Sequence, residues 1–79
     1  MELIPINVVC HSGYKADEYP VNFTWEDIQF EVTEIIDRWY EGYNKPGPSY
    51  ANYFQVKTYP TGNYLIKHEM ENDRWYLVV

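Results

Sequence analysis

Apolar and polar residues alternate with a period of two along most of this chain. Residues 4–10 carry an apolar side chain at every second position, and three of those four are β-branched. The same alternation recurs further along, in Ile28, Phe30 and Val32, in Phe54, Val56 and Thr58, and in Trp75, Leu77 and Val79. Because successive side chains of a strand point to opposite faces of a sheet, this pattern predicts half-buried β-strands.

Short polar segments separate these predicted strands. Pro60-Thr61-Gly62-Asn63 is the strongest turn signal, since Gly accepts the positive φ that tight hairpins require. Glu26-Asp27 and residues 71–73 are predicted to form shorter turns, and residues 42–49 are the clearest loop. The pattern predicts an all-β fold of five or six antiparallel strands in one domain covering residues 1–79. We expect a small SH3-like barrel or a curved antiparallel meander.

The middle of the chain allows two interpretations. The alternation that starts at Ile28 shifts by one position after Val32 and continues from Ile35. A β-bulge near Thr33-Glu34 would absorb this shift and bend the strand, as the closure of a small barrel requires. The apolar residues of this region also fit helical spacing. An α+β fold with a helix at about residues 25–40 therefore stays open as the alternative.

The tetrapeptide Asp-Arg-Trp-Tyr occurs twice, at Asp37–Tyr40 and at Asp73–Tyr76. Trp is a rare residue, and two of the three Trp residues stand in identical local sequence. The repeat predicts two structurally similar corners. We therefore expect Trp39 and Trp75 to act as structural anchors that fill one β interior.

A chain of 79 residues needs an efficient core, because a domain this small buries only about 60% of the surface its unfolded form exposes. Cys10 is its single cysteine, so no internal disulfide can form. The chain contains nine Tyr, three Trp and three Phe. Since each aromatic ring can bury about 150–250 Å², we expect aromatic packing to make the core viable.

The charge balance restricts the partners that we expect. The formal net charge is −6, and the six basic residues are scattered along the chain. Because nonspecific nucleic-acid binding comes from Lys and Arg neutralising phosphates, this composition disfavours a nucleic-acid partner. No apolar run is long enough to span a membrane, and the beginning of the sequence does not resemble a signal peptide. We expect a cytoplasmic protein, either monomeric or weakly dimeric through an exposed strand edge.

Four segments together carry a family resemblance. They are Cys10-His11-Ser12-Gly13-Tyr14-Lys15-Ala16-Asp17-Glu18, Ile35-Ile36-Asp37-Arg38-Trp39, Tyr53-Phe54-Gln55-Val56-Lys57-Thr58 with Gly62 and Tyr64, and Asp73-Arg74-Trp75-Tyr76-Leu77. Over most of residues 8–78 the chain resembles a family of short uncharacterised prokaryotic proteins, a domain of unknown function. Related-looking segments can lie beside Y-family translesion DNA polymerases, which implies an accessory role in DNA repair. The family has no agreed catalytic residues to carry over, and this chain lacks the Arg-rich character of those segments.

Cys10-His11 is the main candidate for chemistry, because a thiol beside an imidazole suggests a nucleophile and its base. Adjacent strand residues point to opposite faces, however, so we expect Cys10 to face inward as a structural residue. Metal donors are also present, in Cys10, His11, Asp17, Glu18 and His68, but at no close ligand spacing. We predict no catalytic residue, no metal site and no cofactor. A small enzyme or ligand-binding protein centred on residues 10–18 remains an alternative.

Two groups of residues are the candidate binding sites. The first is the polar loop at residues 12–18, with Tyr14, Lys15, Asp17 and Glu18 beside a Gly. The second is a set of tyrosines that includes Tyr53 and Tyr59, which we expect on an outward face. Tyr offers a large contact area at a low entropic cost. The leading hypothesis is therefore a non-enzymatic module that binds a protein or peptide through a Tyr-rich face.

Overall fold

The computed structural model describes residues 2–11, 19–42 and 50–79. Its strands are β1 (Leu3–Pro5), β2 (Asn7–His11), β3 (Tyr19–Trp25), β4 (Ile28–Glu41), β5 (Ala51–Tyr59), β6 (Asn63–Glu69) and β7 (Arg74–Val78). The predicted all-β class is confirmed. The helix considered for residues 25–40 is wrong, because β4 occupies this region and pairs with strands on both sides. None of the described segments is a helix that could span a membrane.

All seven strands belong to one antiparallel sheet, in the order β1-β7-β6-β5-β4-β3-β2. Its two outermost strands, β1 and β2, are consecutive in the chain and are separated only by Ile6. One N-terminal segment therefore pairs with β7 at one edge and with β3 at the other. At the junction, the Ile6 amide donates a hydrogen bond to the carbonyl oxygen of Trp75 (3.2 Å). This pairing curls the sheet into a barrel-like shape.

The inner face of the curled sheet forms an aromatic and aliphatic core. Its fully buried hydrophobic side chains are Phe23, Phe54, Val56, Ile66 and Leu77. The Tyr64 ring presents edges or faces to Phe23, Phe30 and Trp25, with centroids between 5.3 and 6.3 Å apart. Burial of a side chain of this size contributes about 1.5–3 kcal/mol. Aromatic packing across β3, β4 and β6 thus forms much of the interior of this chain, which has no internal disulfide.

β4 is a long, bent strand with two bulges. Its pairing with β5 shifts twice, so that Thr33 and Ile36 are extra residues without a direct partner on β5. The Thr33 hydroxyl donates a hydrogen bond to the carbonyl oxygen of Lys57 (3.1 Å), which holds the first bulge in place. The bulge predicted near Thr33-Glu34 is confirmed. The second bulge, at Ile36, was not predicted from the sequence.

The predicted turns also lie where the sequence places them. Glu26 and Asp27 connect β3 to β4 with φ angles of 52° and 62°. Positive φ at both positions of a two-residue loop is the conformation that matches the twist of a tight hairpin. Gly62 (φ 91°) serves the turn between β5 and β6, and Asp73 (φ 54°) the turn between β6 and β7.

The two Asp-Arg-Trp-Tyr segments are not structurally equivalent. Trp75 faces inward and is only 8% exposed, so it is the core anchor that the repeat predicts. Trp39 is opposite Tyr53 on the outer side of the sheet and is 40% exposed. The expectation that both indoles fill one interior is therefore corrected. The bulge at Ile36 reverses the faces of the residues that follow it, and this places Trp39 outside.

Candidate functional site

The outer side of β4 and β5 carries a dense row of charged and aromatic side chains. Five β4 residues lie on it, opposite every second residue of β5. They are Glu31, Glu34, Asp37, Trp39 and Glu41, opposite Tyr59, Lys57, Gln55, Tyr53 and Ala51. The intervening β5 residues, Phe54 and Val56, are fully buried, which identifies their side as the interior. We call the opposite surface the β4–β5 outer face.

The two bulges of β4 align its carboxylates. Glu31, Glu34 and Asp37 follow one another at intervals of three residues, which on a regular strand would alternate between opposite faces. Thr33 and Ile36 each add one unpaired residue within an interval, so every carboxylate returns to the same face. Beyond Asp37 the pairing is regular. The bulges therefore turn a three-residue sequence spacing into a continuous row on one surface.

An aromatic stack occupies one end of this face. The Trp39 indole lies parallel to the Tyr53 ring, with centroids 5.4 Å apart and an interplanar angle of 5°. The Lys67 ammonium lies 5.9 Å from the Tyr53 centroid and also pairs with Glu69 (3.4 Å). Tyr53 is covered by these neighbours and is only 9% exposed, whereas Trp39 is 40% exposed. The stack holds the indole in a fixed orientation while part of its surface remains accessible.

The rest of the face is negatively charged. Among the described residues, none of the three aligned carboxylates takes part in an ion pair. Asp37 accepts a hydrogen bond from the backbone amide of Arg38 (2.9 Å), and Lys57 stands opposite Glu34. The Arg38 guanidinium lies 4.9 Å from the centroid of the buried Phe54 ring, on the other side of β4. This guanidinium therefore lies on the side of β4 that faces away from the three carboxylates.

The predicted binding residues fall into two groups. Tyr14, Lys15, Asp17 and Glu18 lie outside the described residues. Tyr53 and Tyr59 lie on the β4–β5 outer face, on the side that the alternation predicts. Tyr59 is 64% exposed and can contact a partner, whereas the Tyr53 ring supports Trp39 from beneath.

Sequence reasoning missed the row of carboxylates and the outward position of Trp39. The signal for the row was the equal spacing of Glu31, Glu34 and Asp37 in a predicted strand that changes phase. A prediction of the row from this spacing would have required two bulges in β4, whereas the apolar pattern indicated only one bulge. The position of Trp39 depends on the same second bulge, so both features were missed together.

In the described part of the chain, Cys10 and His11 have different surroundings. Cys10 is half-buried and packs against the core, as predicted from the alternation. His11 is exposed, with its ring 5.0 Å from that of Tyr19. Within the described ranges, no group of three or more His, Cys, Asp or Glu side chains could hold a metal ion.

His68 belongs to a separate cluster at the β6–β7 turn. Its imidazole is buried and lies flat on the Trp75 indole, with centroids 3.9 Å apart and an interplanar angle of 3°. Its Nε2 atom lies 2.7 Å from Oδ1 of Asp73, the turn residue with positive φ. The cluster joins the turn to the core. In the second Asp-Arg-Trp-Tyr segment, the Asp73 side chain therefore contacts His68.

The carboxyl group of Glu69 has a pKa below its ordinary value. The Asn72 side-chain amide, which donates a hydrogen bond to Oε1 of Glu69 (3.1 Å), lowers its pKa, and Lys67 adds to this effect. Partial burial opposes the lowering. Glu69 therefore remains ionised while it holds the Lys67 ammonium near the Tyr53 ring.

A shallow groove opens where the N-terminal segment leaves β7 and joins β3. It has a volume of about 370 Å³ and is lined by residues 5–8 and 73–76. Neither Cys10 nor His11 contributes to it. Most of residues 10–18, on which the alternative of a small enzyme or ligand-binding protein is centred, lie outside the described residues.

No family model matches the chain, and no curated protein or solved structure is significantly similar to it. The family resemblance stated from the sequence stays a prediction.

Proposed function

We propose that this protein is a non-enzymatic module that binds another protein or a peptide through the β4–β5 outer face. The single observation that carries the proposal is the position of Trp39, which is held by stacking on Tyr53 and is still 40% exposed. Trp and Tyr are enriched among the residues that contribute most to protein interfaces. An indole fixed before binding loses little side-chain entropy when a partner covers it.

Further side chains extend the contact surface beyond the indole. Tyr59, at the far end of the face, and Ile36, in the second bulge, are both at least half exposed. A nine-residue strand such as β5 extends for about 30 Å, which is long enough for a standard interface of about 800 Å² on each partner. These side chains stand on paired strands, so the surface is largely formed before a partner arrives.

The test compares three versions of the protein in quantitative pull-downs from cell lysate. Trp39→Ala/Tyr59→Ala removes two rings from the β4–β5 outer face, while Tyr40→Ala removes an equally accessible ring from the opposite side of β4. We expect the double variant to lose the partners that the wild type and Tyr40→Ala retain. Identical partner profiles for all three proteins would contradict the proposal. Folding of each variant is checked by circular dichroism.

A further inference from the structure

The aligned carboxylates of β4 have a regular spacing. Glu31, Glu34 and Asp37 stand opposite every second residue of β5. Alternate residues of a strand are about 7 Å apart, so the row repeats at about that distance. Any extended peptide repeats its own alternate side chains at the same interval. A peptide lying along β4 could therefore bring one side chain to each carboxylate.

The charges of this face favour a cationic peptide. The three carboxylates are exposed, and among the described residues none has an ion-pair partner within the chain. Among the cations of the described residues, Lys57 stands directly opposite the row, while Lys67 is engaged by Glu69 and the Tyr53 ring. With a net charge of −6, the whole chain attracts cations over a longer range. Acidic peptides and phosphate backbones are repelled for the same reason.

The position of Trp39 favours Arg over Lys at the end of the row. Trp39 follows Asp37 on the same face, one alternation further along β4. A planar guanidinium can stack on the accessible surface of the indole and still donate hydrogen bonds to a neighbouring carboxylate. The ammonium group of Lys lacks this planar geometry, so it gains less from the same site.

We infer that the β4–β5 outer face binds an extended peptide segment with Arg at alternate positions. The guanidinium groups face Glu31, Glu34 and Asp37, and the last one stacks on Trp39. This inference rests on the proposed function and specifies the chemistry of its partner.

The test measures binding of fluorescein-labelled dodecapeptides by fluorescence anisotropy at low ionic strength. One peptide alternates Arg with Ser, a second alternates Lys with Ser, and a third carries its six Arg as pairs separated by two Ser, so that no three Arg stand at successive alternate positions. We expect the alternating Arg peptide to bind tightest, by at least about threefold. Equal affinity for the peptide with paired Arg would overturn the extended register. Equal affinity for the Lys peptide would overturn the guanidinium stack on Trp39.

Two matched double variants separate a specific site from general attraction. Glu34→Gln/Asp37→Asn removes two charges from the row, and Glu2→Gln/Glu71→Gln removes two exposed charges elsewhere. We expect at least about a tenfold loss of affinity for the first variant and less than about twofold for the second. Equal losses would show attraction by net charge alone and would overturn the inference.

The two proposals can fail separately. If pull-down partners depend on Trp39 but are unaffected by Glu34→Gln/Asp37→Asn, the face still binds proteins and the cationic partner is excluded. Failure of the alternating Arg peptide to bind would exclude the cationic partner independently of the pull-downs.

Discussion

Trp39 and Trp75 occupy the same position of an identical tetrapeptide, yet they lie on opposite faces of one sheet. In the second copy, Arg74 and Tyr76 point outward and the indole packs in the core. In the first copy the indole points outward, and Arg38 lies over the core ring of Phe54 instead. The strand register therefore gives identical local sequences different roles.

This difference predicts unequal effects of the two Trp→Ala substitutions. Trp75→Ala should cost about 3–5 kcal/mol of unfolding free energy, because it leaves a cavity beside Phe54 and His68. Trp39→Ala should cost about 1 kcal/mol, mainly from the lost stack on Tyr53. Urea denaturation measures both values. Similar losses for the two variants would contradict the assignment of the indoles to opposite faces.

The second bulge can be tested by deleting Ile36. Ile36 is the extra residue of the bulge, so its deletion should keep Trp39 opposite Tyr53 but remove the local bend that the bulge gives to β4. We expect a loss of about 2 kcal/mol or more, or failure to fold. Ile36→Thr is the control, since it keeps the bulge and changes an exposed side chain, at a cost within about 0.5 kcal/mol. A deletion variant as stable as Ile36→Thr would show that the bulge is dispensable.

The β3–β4 turn offers a stabilising change. Glu26 and Asp27 adopt positive φ, which is unfavourable for most residues with a side chain and favourable for Asn and Gly. Glu26→Asn/Asp27→Gly should stabilise the protein by about 1 kcal/mol, which raises the Tm of a domain this size by about 4–8 °C. Differential scanning calorimetry measures the change. Glu26→Val should shift the Tm in the opposite direction, and a rise in this control would argue against strain in the turn.

The lowered pKa of Glu69 gives a pH dependence with a defined sign. A carboxyl pKa that is lower in the folded state stabilises the fold above the unfolded pKa, and this contribution is lost as pH falls through the folded pKa. The stability difference between wild type and Glu69→Gln should therefore shrink on acidification below about pH 4.5. In Asn72→Ala the Glu69 pKa should rise, because the largest lowering contact is removed. NMR titration of the Glu69 side chain measures it, and an unchanged pKa would rule out control by Asn72.

Local patterns were sufficient for most of the architecture. The alternation around Phe54 and Trp75 identifies their strands, and the turns at Glu26-Asp27 and Gly62 follow from the breaks between apolar runs. The phase shift after Val32 identified the first bulge. Each of these features is encoded by residues that are close in sequence, which is why the sequence alone predicts them.

The remaining features depend on pairing between distant strands. Ile35 and Ile36 are both apolar, so the second bulge leaves no break in the hydrophobic pattern. The exposure of Trp39 and the alignment of Glu34 with Asp37 follow from that bulge. The strands that pair with the N-terminal segment could not be predicted either. One continuous alternation gives no sign that β1 and β2 pair with different strands.

The N-terminal segment also sets the order in which the chain can fold. β1 pairs with β7, some 70 positions later in the sequence, while β2 pairs with its immediate successor. Contacts of such long sequence separation make folding slow, because a large loop must close before the contact forms. During synthesis, the β3–β4 and β5–β6 hairpins can form early, but Leu3–Pro5 has no partner strand until β7 has left the ribosome. Closure of the barrel is thus a late step of folding, and the nascent chain carries an unpaired β1 until β7 is available.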